Sequence, residues 1–297
     1  MLPNASAGTS LLKQRLIGFF DILGFSNRLA TMELDEARNL YARLIDDARL
    51  TVFSSTSVID RAAVRRPNFD RAQFLFDSIL VVSHPVDGAS AGAQTFNFTA
   101  ALVDLMEKSF ALQLPLRGCI GLGDYLEDSE RSIFLSRVFP AIVAAEKSQE
   151  WSGCFLLADA APIVVSALHG ESTENLPPER ERLLLEYPVP IKSGAPEVQW
   201  CLNWVHLIAD EDRDAGLAFL CDPKRTHTAN FVEHVLRLPS DNASLPTGFL
   251  PATQLRKQVA QWGFRLKYCD DSGRGVDPPQ GAVLQLRFER RNPPTPE

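Results

Sequence analysis

Nowhere does this 297-residue chain carry an apolar run approaching the roughly 20 residues of a membrane-spanning helix, so no spanning helix and no membrane partner are expected. Cysteine is scarce. The five residues (Cys119, Cys154, Cys201, Cys221 and Cys269) are scattered, odd in number and without any Cys-x-x-Cys pair. That argues against a disulfide framework and a cysteine-bound zinc, and it fits a reducing compartment. The five histidines are dispersed too, with no His-x-x-x-His spacing. Positive charge is in deficit: 30 Lys and Arg against 37 Asp and Glu leave a net charge of -7, so no global basic surface recommends a nucleic-acid polymer as partner. The polar start Met1 to Ser10 lacks the charged-then-apolar plan of a signal peptide, which places the chain in the cytoplasm. What remains is a globular chain with 45% apolar residues, ample for a core in one large domain or two small ones.

Two aspartates stand inside otherwise apolar runs: Asp21 in Leu16-Ile-Gly-Phe-Phe-Asp-Ile-Leu-Gly-Phe25, and Asp77 in Phe74-Leu-Phe-Asp-Ser-Ile-Leu-Val-Val82. A carboxylate at the end of a buried strand loses several kcal/mol of hydration unless something pairs with it. A hard divalent cation is a partner that needs two such groups, so the pair points to a metal site. Each residue also has a local reading, Asp21 as a helix N-cap and Asp77 as a turn residue.

Residues 15 to 25 read as a buried strand, and 34 to 50 carry apolar positions at helical spacing. A β-branched stretch over 51 to 60 reads as a second strand, and Arg61 to Asp70, with Arg65 and Arg66, as a solvated polar loop. The apolar runs flanking Asp77-Ser78 read as hairpin strands. From Thr95 to Leu114 the pattern is helical, with Phe98, Leu102, Leu105, Met106 and Phe110 on one face and Pro115 as the stop. A glycine-punctuated strand (Leu116 to Tyr125), a helix (Pro140 to Trp151) and a short strand (Cys154 to Ala158) follow. Residues 170 to 182 read as a charged loop, and Tyr187 to Pro190 and Gln199 to Val205 as extended. The order is α+β, a ferredoxin-like βαββαβ core with additional strands. The expected divisions are a polar leader over 1–14, a domain over 15–238 and a C-terminal extension over 239–297, the last with a helix near 252–262 and a strand near 282–289.

Phe20-Asp-Ile-Leu-Gly-Phe25, Phe76-Asp-Ser-Ile79, Leu116-Arg-Gly-Cys-Ile-Gly-Leu-Gly123, Glu146-Lys-Ser-Gln-Glu-Trp-Ser-Gly153, Tyr187-Pro-Val-Pro190 and Leu202-Asn-Trp204 recur in the order of the class III nucleotidyl cyclase catalytic domain. The chain resembles that superfamily over about 15 to 205, and within it the bacterial pyrimidine (uridylate/cytidylate) cyclases of the Pycsar antiphage systems. The resemblance implies cyclisation of UTP or CTP, UTP ahead, to the 3',5'-cyclic monophosphate and pyrophosphate. Two divalent ions (Mn²⁺ or Mg²⁺) would be held by Asp21, Asp77 and the Ile22 carbonyl. The turn Leu23, Gly24 and Phe25 would offer backbone N–H groups to phosphate oxygens. The family also implies a homodimer with interfacial active sites and a separate effector, activated by the cyclic nucleotide in antiviral defence.

Gln73, four residues before Asp77, falls at the base-selecting position of the superfamily. A neutral amide both donates and accepts, so it suits a pyrimidine edge, although Gln73 also reads as an ordinary strand residue. The superfamily's Asn-x-x-x-Arg falls at Ile142 and Glu146, and its purine-binding Asp at Leu135. The transition-state cation is thereby left to Arg137 or Arg117, the latter also readable as a strand-end partner of Asp124. A cytidylate cyclase, a purine cyclase and an inactive nucleotide-binding module remain alternatives.

Overall fold

The computed structural model describes residues 14–51, 54–59, 62–87, 91–128, 131, 133–169, 182–205, 208–238, 264–269 and 285–290. Its centre is β1 (Gln14–Ile22), buried over most of its length. After a turn and the short α1 (Phe25–Leu29) comes α2 (Leu34–Thr51). The hairpin β2 (Ser54–Ile59) and β3 (Ala62–Pro67) leads to a second hairpin, β4 (Arg71–Leu75) and β5 (Ser78–Val82). Then follow α3 (Ala91–Ala111), β6 (Leu116–Asp124), the hairpin β7 (Leu126–Asp128) and β8 (Ile133–Leu135), α4 (Phe139–Ser148) and β9 (Gly153–Leu156). The remaining elements are α5 (Ala161–His169), β10 (Leu184–Val189), β11 (Glu197–Leu202), α6 (Asp210–Phe219), α7 (Lys224–Arg237), β12 (Phe264–Cys269) and β13 (Gln285–Arg290).

Seven strands form one sheet in the order β10-β11-β9-β6-β1-β5-β4. Within it β6-β1-β5-β4 are antiparallel neighbours. With α2 and α3 as crossovers, this is the ferredoxin-like arrangement, so the α+β expectation holds. α4 then carries the chain over to β9, parallel to β6. The core between the sheet and α3 buries Phe20, Ile79 and Val81 from strands and Phe98, Leu102, Leu105, Met106 and Phe110 from the helix, the face that periodicity selects.

The sheet faces follow from register. Ile17, Phe19 and Asp21 alternate onto one face of β1, opposite Gly121, Cys119 and Arg117 of β6. That face carries α4: a Cβ on Gly121 would stand 2.9 Å from side-chain atoms of Ile142 and Val138, and Phe19 meets Phe139 edge-on with ring centroids 5.4 Å apart. Glycine at 121 is what lets the helix approach so closely.

Several expectations are corrected. The strand read over 15–25 ends at Ile22, because Gly24 takes a left-handed φ of 75° and opens α1. The polar loop at 61–70 contains β3, which pairs with β2 from Ser54↔Pro67 to Ile59↔Ala62; ladder hydrogen bonding outweighs side-chain polarity there. The second hairpin turns on Phe76-Asp77, not Asp77-Ser78, with Phe76 at φ 58°. α3 stops at Ala111, four residues before Pro115, and Gln113 at φ 59° closes the turn. The β7–β8 hairpin, α6 and α7 were not legible in the periodicity. In the extension β12 and β13 form their own antiparallel pair, apart from the main sheet. The leader, except Gln14, which opens β1, the charged loop over 170–182, except Arg182, and the 252–262 helix lie outside the described residues.

Candidate active site

Register brings the two aspartates together. Asp21 is paired across the sheet with Ser78 on one side and Arg117 on the other. Asp77 precedes Ser78 in the turn, and its carbonyl accepts from the Ile22 N–H at 2.7 Å. A hydrogen-bonded crossing thus ties the end of β1 to the β4–β5 turn and puts both carboxylates at one sheet end. Ser26 donates to Asp77 Oδ2 at 3.3 Å and Ser78 to its Oδ1 at 3.4 Å, so the side chain is loosely steered by two hydroxyls. Of the local readings, the N-cap fails, since Gly24, not Asp21, caps α1, whereas Asp77 does stand in the turn, with its backbone carbonyl tying that turn to β1.

Arg117 is the cation in contact with Asp21. Buried to 7% exposure, it donates Nε to Glu146 Oε1 at 2.6 Å, Nη1 to the Gln149 carbonyl at 3.2 Å and Nη2 to Asp21 Oδ2 at 3.3 Å. It does not pair with Asp124, which lies at the far end of β6 opposite Gln14. Burial raises the Asp21 pKa, Arg117 pulls it down, and Asp77 raises it again, with Lys147 and Lys192 as smaller lowering influences. Glu146 is raised by its own burial against the pull of Arg117.

Lys147 and Lys192 are site neighbours that the sequence reading missed. The loop after β10 is bound to the end of α4 by Lys192 N–H to Ser148 O at 2.7 Å and Glu150 N–H to Pro190 O at 2.9 Å. Only this long-range clamp brings residue 192 near residue 21; the one sequence signal was the Lys itself beside Pro190 in the Tyr187-Pro-Val-Pro190 segment.

The other expected residues sort by position. Gln73 pairs with Leu80, which pairs with Phe19, so it shares the face of Asp21, about 12 Å away by strand and residue spacing. Its Oε1 is buried without a hydrogen-bond partner. Gly24 and Phe25 open α1 beside Asp77, but the Leu23 N–H is already donated to Pro115 O at 2.9 Å, so Leu23 offers no donor to a phosphate. Ile22 is buried at the end of β1. Arg137 is not brought to the aspartates within one chain: it precedes Val138, which packs on Gly123, six residues along β6 from Arg117, or about 20 Å. Leu135 is an exposed residue of β8, and Ile142 is fully buried in α4.

The donor set suits a hard divalent cation. Asp21 and Asp77 supply carboxylate oxygens at one strand end, while Glu146 is engaged by Arg117 at 2.6 Å. Among the described residues no group of three metal-ligating side chains occurs, so a metal here rests on two carboxylates with backbone and substrate oxygens. No described helix is long and apolar enough to cross a membrane.

No family model and no curated protein matches the chain. Among solved structures, the adenylyl cyclase CyaB from P. aeruginosa is 12% identical over 64% of this chain and 93% of that chain, with a TM-score of 0.42. The guanylate cyclase domain of RhGC from Catenaria anguillulae is 10% identical over 64% and 96%, with a TM-score of 0.37. Adenylate cyclases from Trypanosoma brucei are 12% identical over 68% and 94%, with a TM-score of 0.38. At TM-scores below 0.5 these likenesses add nothing to what strand order and register define.

Proposed function

We propose that the chain is a nucleotidyl cyclase that converts a pyrimidine nucleoside triphosphate, UTP ahead of CTP, to its 3',5'-cyclic monophosphate and pyrophosphate. The observation that carries this reading is the Asp21–Asp77 pair, held at one sheet end beside a buried arginine. Asp21 and Asp77, with the Ile22 carbonyl, would hold two divalent ions, Mn²⁺ or Mg²⁺. Those ions supply activation of the ribose 3' oxygen and neutralisation of the triphosphate.

The chain's own groups do the rest. Arg117, with Lys147 and Lys192 flanking, offers positive charge where the α-phosphate bond to pyrophosphate breaks, and being positioned beforehand it needs little reorganisation as charge develops. Gln73 lies on the β4–β5 half of the Asp21 face, and its Oε1, buried without a partner, would on turning toward the base accept from uracil N3–H or cytosine N4–H while the amide nitrogen donates to the neighbouring base atom. Proton loss from the 3' hydroxyl, in-line attack at phosphorus and departure of pyrophosphate balance without another reactant.

The functional unit in this reading is a cytoplasmic homodimer whose domain spans 15–238. Its product is a second messenger for a separate effector in antiviral defence, a role that rests on the sequence resemblance alone. The test is incubation of the full chain with Mn²⁺ and each of the four ribonucleoside triphosphates, with products resolved by chromatography. Cyclic UMP as the main product is expected. A dominant cyclic AMP or GMP would replace the pyrimidine reading, and no cyclic product from any substrate would leave an inactive nucleotide-binding module.

A further inference from the structure

Glu146 is only 1% exposed and sits on α4 against the sheet, where a lone carboxylate would be costly. Its partner is Arg117, through the shortest of that guanidinium's three contacts, Nε to Oε1 at 2.6 Å. The second contact, Nη1 to the Gln149 carbonyl at 3.2 Å, holds the opposite side of the guanidinium plane. Gln149 is itself immobilised, its amide donating to Gly118 O at 2.9 Å and accepting from Trp151 Nε1 at 2.7 Å. A guanidinium is a rigid planar fork, so two contacts on the α4 side fix its plane and aim Nη2 at Asp21. The Asp21 contact, at 3.3 Å, is the longest of the three. The orientation of Arg117 is therefore set by Glu146 and Gln149, and Asp21 only receives what they aim.

Charge leads to the same conclusion. With Glu146 sharing Arg117, the guanidinium stands at 3.3 Å from Asp21; without Glu146, Arg117 and Asp21 would form a closer one-to-one pair that occupies an oxygen a metal needs.

We propose that Glu146 is a positioning residue: it holds Arg117 in one orientation at the carboxylate pair and prevents it from closing onto Asp21. This rests on the cyclase reading of the site.

The test uses the full chain, with Mn²⁺ affinity measured by electron paramagnetic resonance without nucleotide, and turnover measured separately with Mn²⁺ and UTP. Glu146→Leu is expected to weaken Mn²⁺ binding about tenfold, and Arg117→Leu in that background to restore it, because the competing cation is gone. The double variant is expected to turn over no faster than Arg117→Leu alone. Glu146→Asp keeps the charge but shortens the reach by one methylene, so Mn²⁺ affinity should stay within about twofold while kcat/KM falls about tenfold or more. It also serves if Glu146→Leu fails to fold. Unchanged turnover in folded Glu146→Asp would overturn the positioning role, as would Mn²⁺ binding in Glu146→Leu that is unweakened or not restored by Arg117→Leu. Wild type that binds Mn²⁺ but yields no cyclic nucleotide would overturn the cyclase reading, while the Mn²⁺ series would still decide whether Glu146 keeps Arg117 off Asp21.

Discussion

Asp21 and Asp77 are conspicuous as acids inside apolar runs, Asp21 loses hydration where it stands, and backbone hydrogen bonds bring the two together. If they hold metal, their oxygens must be charged and not merely polar. Asp21→Asn and Asp77→Asn keep the volume and remove the charge, so each should lower turnover by about a thousandfold or more while circular dichroism and melting temperature stay near wild type. Loss of fold in both variants would instead mark a structural pair. Gly24 makes a separate claim at this scale. Its φ of 75° is a conformation that L residues adopt at a cost, and its Cβ position faces the Phe219 ring at 3.5 Å. Gly24→Ala should therefore destabilise by about 1 kcal/mol in urea unfolding, through backbone strain more than through contact.

At the scale of elements, two packings carry predictions, the first of them at the site. α4 reaches the sheet through Gly121 and Gly123, and that approach lets Glu146 meet Arg117. Gly121→Ala inserts a methyl 2.9 Å from Ile142 and Val138, so it should cost about 1–3 kcal/mol in urea unfolding and reduce turnover by moving Glu146 away from Arg117. The second packing is α3 against α6. Glu107 is pushed up to about 7 from an ordinary 4.5, chiefly by burial and further by Asp104 and Asp212, against the pull of Lys108. A carboxyl raised in the folded state favours the fold while protonated: that stability is present in full below about pH 4.5 and is lost as pH rises to about 7. The loss is up to about 3 kcal/mol. Glu107→Gln should remove this slope, matching wild type near pH 4.5 and exceeding it at pH 8, as read by urea unfolding at both pH values.

These elements also show what a sequence reveals. α2, α3, β1, the β4–β5 hairpin and β6 were legible because each carries apolar residues at helical spacing or in a continuous run. β3, β7 and β8 were not, since three to six residues of mixed polarity carry no period and are fixed by their pairing partners. The aspartate pair was legible because polarity inside an apolar run is a local signal. The role of Glu146, the nearness of Lys192 and the preoccupied Leu23 N–H depend on contacts between residues far apart in the chain.

The whole molecule has to reconcile the aspartates with Arg137, which within one chain stands about 20 Å away along β6. α4 covers β6 and β1 on the Asp21 face, while the β4–β5 tip exposes Leu75 at 54% and Phe76 at 58%, and the β7–β8 hairpin exposes Leu126 and Leu135. Large apolar side chains at two hairpins, one beside the aspartates and one at the opposite end of β6, are what a two-fold partner would cover. In such a dimer the aspartates of one chain would meet Arg137 of the other, and the two copies of the site would be equivalent. Asp77→Asn and Arg137→Ala would then each be inactive alone, yet mixed chains would rebuild one intact site. With random pairing, half of the dimers are mixed and one of their two sites works, so co-refolding equal amounts should recover about one quarter of wild-type turnover. Recovery near zero, with dimers present in sedimentation, would confine the site to a single chain. It would also leave Arg117, held by Glu146, as the cation that serves it.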